Sequence, residues 1–155
     1  TTEIYTLSLH DALPIFDSLP QQGLPILAAD TLILQHEAVI GKAQTREEAF
    51  SQLQAFSGGS HEVHSGFALF YFGTRTIAPI IIKGSDRAVV VFEKLSDSTI
   101  HTYLDTEEWI GAAGSYRVQG MGRYLVSRID GDYSTVVGLP INRISDILEG
   151  LVKGI

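Results

Sequence analysis

Short runs of β-branched and aromatic residues alternate along this chain with segments of helical periodicity, and that alternation restricts the fold more than any single residue does. Ile26 to Leu34, Ala38 to Ile40, His61 to Phe72, Ile77 to Ile82, Ala88 to Phe92 and Arg123 to Asp130 read as strands. Gln35, His36 and Glu37 form the turn of a small hairpin. Thr45 with Glu48 three residues later predicts a capping box, opening a helix whose Ala49, Phe50, Leu53 and Phe56 face inward and which Gly58 and Gly59 close. Ser96 caps a second helix carrying Ile100, Tyr103 and Leu104. Pro140 starts a last one, with Ile144, Ile147, Leu148 and Leu151 inward. Interleaved strands and helices of this kind predict one α/β domain on a mixed sheet.

The chain has 155 residues, enough for one core without a covalent staple, and its lack of cysteine excludes disulfides, thiolate metal sites and a cysteine nucleophile. The net charge of −7, with no basic run, opposes nonspecific binding to nucleic acid or anionic lipid. A phosphate-bearing ligand therefore needs local lysines, backbone amides or a divalent cation to offset repulsion. The longest apolar runs are too short to span a bilayer, and the N-terminal residues have no signal-peptide pattern, so a cytoplasmic location is expected. Thr1 to Phe16 resemble translated adapter sequence at the ends of assembled genes. They are expected to be non-native, the alternative being an N-terminal strand, and residues 17–25 read as a loop.

The stretch from Ala113 to Pro140 spends many glycines and turn residues on placing a few polar side chains beside a strand. Tyr124, Val126 and Arg128 are expected on one face, and Leu125, Ser127 and Ile129 on the other. Gly120 and Gly122 permit positive φ or a close backbone approach, to a ligand or to a neighbouring strand. The Gln119 side-chain amide matches the amide edge of uracil or thymine, or else is a turn glutamine. Asp30 interrupts an apolar run where an isolated charge is expensive to bury, so it either holds a divalent metal with water or bonds local backbone. Lys42, after Gly41, reaches a phosphate or is a solvated lysine.

Other polar residues offer less. His61 and His64, three apart on a strand, lack metal-ligand spacing and read as structural or exposed. Ser134 and Thr135 lack the glycine-flanked pattern of a serine nucleophile. Glu107 and Glu108, beside Trp109, mark either a closing loop or a solvated turn.

Taken in order, AADTLI at 28–33, GK at 41–42, EEAFSQLQAFSGGSHEVHSGFAL at 47–69, and AGSYRVQG followed by DGDYSTVVGLP resemble the Maf family of nucleoside triphosphate pyrophosphatases. The resemblance covers residues 26 to about 150. It implies an α/β fold related to the inosine triphosphate pyrophosphatases, with an elongated mixed sheet, flanking helices and a nucleotide cleft between two lobes. It also implies hydrolysis of a nucleoside triphosphate to monophosphate and pyrophosphate with Mg2+ or Mn2+, and it allows a homodimer. Asp30 matches the aspartate of the A-D-T motif, with a metal or general-base role, and Thr31 beside it is expected to bind substrate. Lys42 matches a phosphate-contacting lysine. Gln119 matches the glutamine of members acting on dTTP and UTP.

Three departures accompany the resemblance. Ala43 replaces a proline, and Gly111 and Ala112 replace an Asp-Lys pair. The family's serine- and arginine-rich first turn is not recognisable, so residues 26–155 are expected to form a domain lacking its first strand-helix unit, with an uncovered sheet edge or apolar face. The alternatives that follow are a catalytically impaired nucleotide-binding or septum-related interaction domain, and a pyrophosphatase preferring purine or modified nucleotides.

Overall fold

The computed structural model describes residues 26–72 and 79–153. The expectations for Thr1 to Phe16 and for the 17–25 loop lie outside them. In chain order the elements are β1 (Ile26–Gln35), β2 (Ala38–Ile40), α1 (Arg46–Phe56), β3 (Ser60–Phe72), β4 (Pro79–Phe92) and α2 (Asp97–Leu104). A 3-10 turn (Met121–Leu125), β5 (Val126–Asp130), α3 (Tyr133–Val137) and α4 (Ile141–Lys153) complete the described chain. The strands form an open sheet in the order β2-β1-β3-β4-β5, flanked by helices as the α/β expectation requires. All four described pairings are antiparallel. The parallel component of a mixed sheet is not among the described residues. β2 pairs with β1 only over Ile33 to Gln35. No helix among the described residues is long and apolar enough to cross a membrane.

Local chemistry explains most of these elements. The β1–β2 turn places His36 and Glu37 at φ of 48° and 66°, a tight two-residue connection. Thr45 caps α1 by accepting the Glu48 amide at 3.2 Å, while the Glu48 carboxylate reaches back to the Gln44 amide at 2.7 Å, one residue before the expected partner. The two runs read as separate strands between Ile77 and Phe92 belong to one long strand, β4, over the described part. Lys83 to Arg87 stays extended because it pairs throughout with β3, and the Phe67 ring covers Gly84, where an added Cβ would lie 2.5 Å from Phe67 Cζ.

The expected alternation of Arg123 to Asp130 is also modified. Met121 to Leu125 coils into the 3-10 turn with Tyr124 exposed and Leu125 buried. A register shift between Val91 and Phe92 turns both Val126 and Ile129 against the core, three residues apart. In α4, Ile144 is buried and Ile147 half-buried, but Leu148, expected to face inward, is 42% exposed. The Leu151 side chain lies outside the described residues.

The main core lies between one sheet face and α1 and α2. Leu53, Phe56, Val63, Val90, Ile100 and Leu104 are fully buried there. At its centre the rings of Phe56, His61, Phe92 and Tyr116 pack at centroid distances from 4.1 to 6.3 Å, mostly edge to face. His61 Nε2 and the Tyr116 hydroxyl are 2.8 Å apart, and His61 Nδ1 has no partner among the described residues. Burial pushes His61 down to about 4 and Tyr116 above its usual range.

Because the unfolded chain holds His61 near 6.5, it binds more protons than the folded chain between about pH 4 and 6.5, so stability falls as pH drops through that window. Denaturant melts at pH 7.5 and 5.0 are expected to differ by about 2 kcal/mol from this group. His61→Phe should flatten the difference.

Candidate functional site

A cavity of about 240 Å³ opens where β1 meets the segment 111–119 and α3. Its floor is a sheet face on which Ala29, Thr31 and Ile33 of β1 lie beside Val63 of β3. Its walls are Lys42, the run from Gly111 to Ala113, the run from Tyr116 to Gln119, and Val136 with Val137 of α3. Asp30 stands at its edge. All four residues expected from sequence to form a site, Asp30, Thr31, Lys42 and Gln119, therefore line one cavity.

The segment 111–119 reaches β1 through a set of specific contacts. Lys42 and Ala113 form an antiparallel bridge, and the Gly114 amide donates to Gly41 O at 3.1 Å. Gln52 of α1 clasps both segments, accepting from Ser115 Oγ at 2.6 Å and donating to Gly41 O at 3.3 Å. Gly114 and Ser115 adopt φ of 65° and 62°. A Cβ on Gly114 would stand 2.5 Å from Ile33 Cδ1 and 3.0 Å from Phe56 Cε2, so glycine is required both by conformation and by space. Ala43, in place of the family's proline, is buried in the core.

Asp30 is exposed, so the cost of burying an isolated charge does not arise. Its Oδ1 accepts the Thr31 amide at 2.9 Å, the local backbone bond that one reading of this residue anticipated, and Oδ2 has no partner among the described residues. Lys42 and Gln119 are exposed, and neither side chain has a hydrogen-bond partner among the described residues. The Thr31 hydroxyl points to Ser65, with 2.7 Å between the oxygens. No group of three or more His, Asp or Glu among the described residues could hold a metal.

Gly120 and Gly122 both have negative φ, so the use found for them is close approach. A Cβ on Gly122 would stand 2.5 Å from Arg117 O, which makes its neighbour backbone and not ligand. Glu108 is tied to the neighbouring turn. Its carboxylate accepts the Met121 amide at 2.7 Å and presses on Gly120. Thr135 is buried and donates to Asp86 Oδ2 at 2.6 Å, a structural role like that of buried His61. His64 bonds the Glu62 carboxylate at 2.8 Å on the other sheet face.

Sequence reasoning missed Arg117 and the α3 wall. Arg117 lines the cavity while its Nε and Nη2 donate to the carbonyls of Glu108 and Ile110, both at 2.9 Å. Arg117 and Gln119 flank buried Val118 in a turn closed by the Gly120 amide, which donates to Arg117 O at 3.1 Å, and no periodic pattern announces such a turn. Val136 and Val137 belong to a five-residue helix with Asp132 as its cap, accepting the Ser134 amide at 2.8 Å, too short to show helical periodicity. Gly114→Ala is expected to destabilise the fold by about 2 kcal/mol, through overpacking and the forced positive φ. A denaturant melt against Gly41→Ala, whose Cβ would meet nothing within 4 Å, checks it.

The family model described as Maf-like protein matches residues 3–151 of this chain. A relative named dTTP/UTP pyrophosphatase from Clostridium botulinum (strain Alaska E43 / Type E3) is 34% identical over 146 residues, covering 94% of this chain and 75% of the relative. Its namesake in Ruminiclostridium cellulolyticum is 37% identical over 145 residues, covering 94% and 72%. That of Pyrococcus furiosus is 41% identical over 124 residues, covering 80% and 62%.

Proposed function

The chain belongs to the Maf-like family, and from that premise we propose that it hydrolyses dTTP, UTP or a related pyrimidine nucleotide to the monophosphate and pyrophosphate. The observation that carries this function is that Asp30, Lys42 and Gln119, which bear a carboxylate, an ammonium group and a side-chain amide, line a single cavity. Two cations, Lys42 and Arg117, line it in a chain of net charge −7, a local reversal that favours an anionic ligand.

Water attacks the α-phosphorus as the bond from that phosphorus to the α,β-bridging oxygen breaks, and pyrophosphate leaves with the bonding pair. The Asp30 carboxylate orients the water and accepts its proton, while its other oxygen is held by the Thr31 amide. Lys42 offsets charge on the phosphates as a mobile point charge. Gln119 reads the base by accepting from the N3–H of uracil or thymine and donating to O4. Asp30 would also hold Mg2+ or Mn2+ together with substrate phosphates, and such a cation offsets phosphate charge and acidifies bound water.

Pyrophosphate release from dTTP and UTP with Mg2+ or Mn2+ is the direct assay. Asp30→Asn should lower kcat on the order of 10²-fold or more. Lys42→Ala should raise KM about tenfold, the loss of one charge-assisted contact. Gln119→Glu, which leaves only acceptors, should shift preference toward bases that present N–H donors there. An unchanged ranking of nucleotides would remove Gln119 from base reading, and calorimetric binding of UTP without turnover would favour a nucleotide-binding domain.

A further inference from the structure

Three polar residues stand in one row across the middle of the sheet. Thr31 of β1 pairs in register with Ser65 of β3, and Ser65 with Asp86 of β4. Apolar rows flank them, Ile33, Val63 and Ala88 on one side and Ala29, Phe67 and Gly84 on the other. α3 sits on this polar row. Ser65 Oγ donates to the Thr135 carbonyl at 2.7 Å, and Thr135 Oγ1 donates to Asp86 Oδ2 at 2.6 Å. Ser65 and Thr135 are both fully buried.

The direction of the remaining bond follows by elimination. Ser65 has one hydroxyl proton, and the Thr135 carbonyl takes it. In the 2.7 Å contact between Thr31 Oγ1 and Ser65 Oγ, Thr31 must therefore be the donor. Its proton is directed into the protein and not into the cavity. Thr31 thus has two ties. Its amide holds Asp30 Oδ1, and its hydroxyl is anchored through Ser65 to the helix that supplies Val136 and Val137 to the opposite wall.

We propose that Ser65 and Thr31 form a positioning pair that holds the Asp30 carboxylate at the cavity's edge, with Thr31 acting through this hydrogen-bond chain and not as a substrate ligand. The proposal rests on the hydrolytic function assigned to the same cavity. A buried hydroxyl chain suits the task because each bond is short and has a defined direction, and because breaking one leaves a buried partner unsatisfied. The expected consequence of its loss is a misplaced carboxylate with the binding surface largely intact, which lowers kcat and leaves KM nearly unchanged.

The test compares wild type with Thr31→Val, Thr31→Ser, Ser65→Ala and the double variant Thr31→Val with Ser65→Ala. Each is first checked for folding by a thermal melt and then assayed for pyrophosphate release from UTP. Thr31→Val, which keeps shape and amide but deletes the hydroxyl, should lower kcat about tenfold with KM within about twofold. Thr31→Ser should restore most of that rate. The double variant should be no slower than the slower single variant, because both break the same chain. A raised KM with unchanged kcat in Thr31→Val would make Thr31 a substrate contact and overturn the proposal, as would failure of Thr31→Ser to restore the rate or additive losses in the double variant. Wild-type protein that releases no pyrophosphate would instead overturn the hydrolytic function itself, and the proposal with it.

Discussion

Gly114 lies so close to Ile33 and Phe56 that an added Cβ would stand 2.5 Å from Ile33 Cδ1, and this close approach seats the segment 111–119 on β1 and α1. The bridge between Lys42 and Ala113, and the double grip of Gln52 on Gly41 and Ser115, act on the same few residues. Without the close approach, Lys42 and Gln119 would lie on separate surfaces and Asp30 would stand on an open strand. The cavity is thus a consequence of packing a backbone without a Cβ against two core side chains. Positive φ at Ser115, next to Gly114, is the conformational cost of that packing.

Beneath the cavity the core is unusually polar for its depth. The Tyr116 hydroxyl meets His61 in a ring cluster, and the row of Thr31, Ser65 and Asp86 binds α3 through buried hydroxyl groups. Apolar contacts slide at little cost, whereas a buried hydrogen bond has a direction and a length, so these groups fix how the cavity walls meet. His61 shows the complementary cost. Its neutral form suits the core, and acid draws on folding stability to protonate it.

Much of this was legible in the sequence where the signal is local. Thr45 and Ser96 each act as helix caps, the turn at His36 and Glu37 is as expected, and Asp30, Thr31, Lys42 and Gln119 meet at one cavity. What was hidden depends on register. Nothing near Thr31 in the chain shows that Ser65 and Asp86 stand beside it, because antiparallel pairing brings together residues far apart in sequence. The joining of two apolar runs into β4 needed the pairing with β3 across Gly84. Asp30 is exposed and bonds local backbone, and among the described residues β2 reaches β1 only from Ile33 on, which an apolar run does not reveal. α3 escaped notice because five residues are too few for a period.

The central claim, that this cavity directs water to the α-phosphorus of a nucleoside triphosphate, is tested most directly by the fate of the water oxygen. Hydrolysis of UTP in ¹⁸O-labelled water, followed by mass spectrometry of both products, separates attack at the α-phosphorus from attack elsewhere in the triphosphate. The predicted result is one labelled oxygen in the monophosphate and none in pyrophosphate. Label in pyrophosphate, or release of labelled orthophosphate in its place, would contradict it.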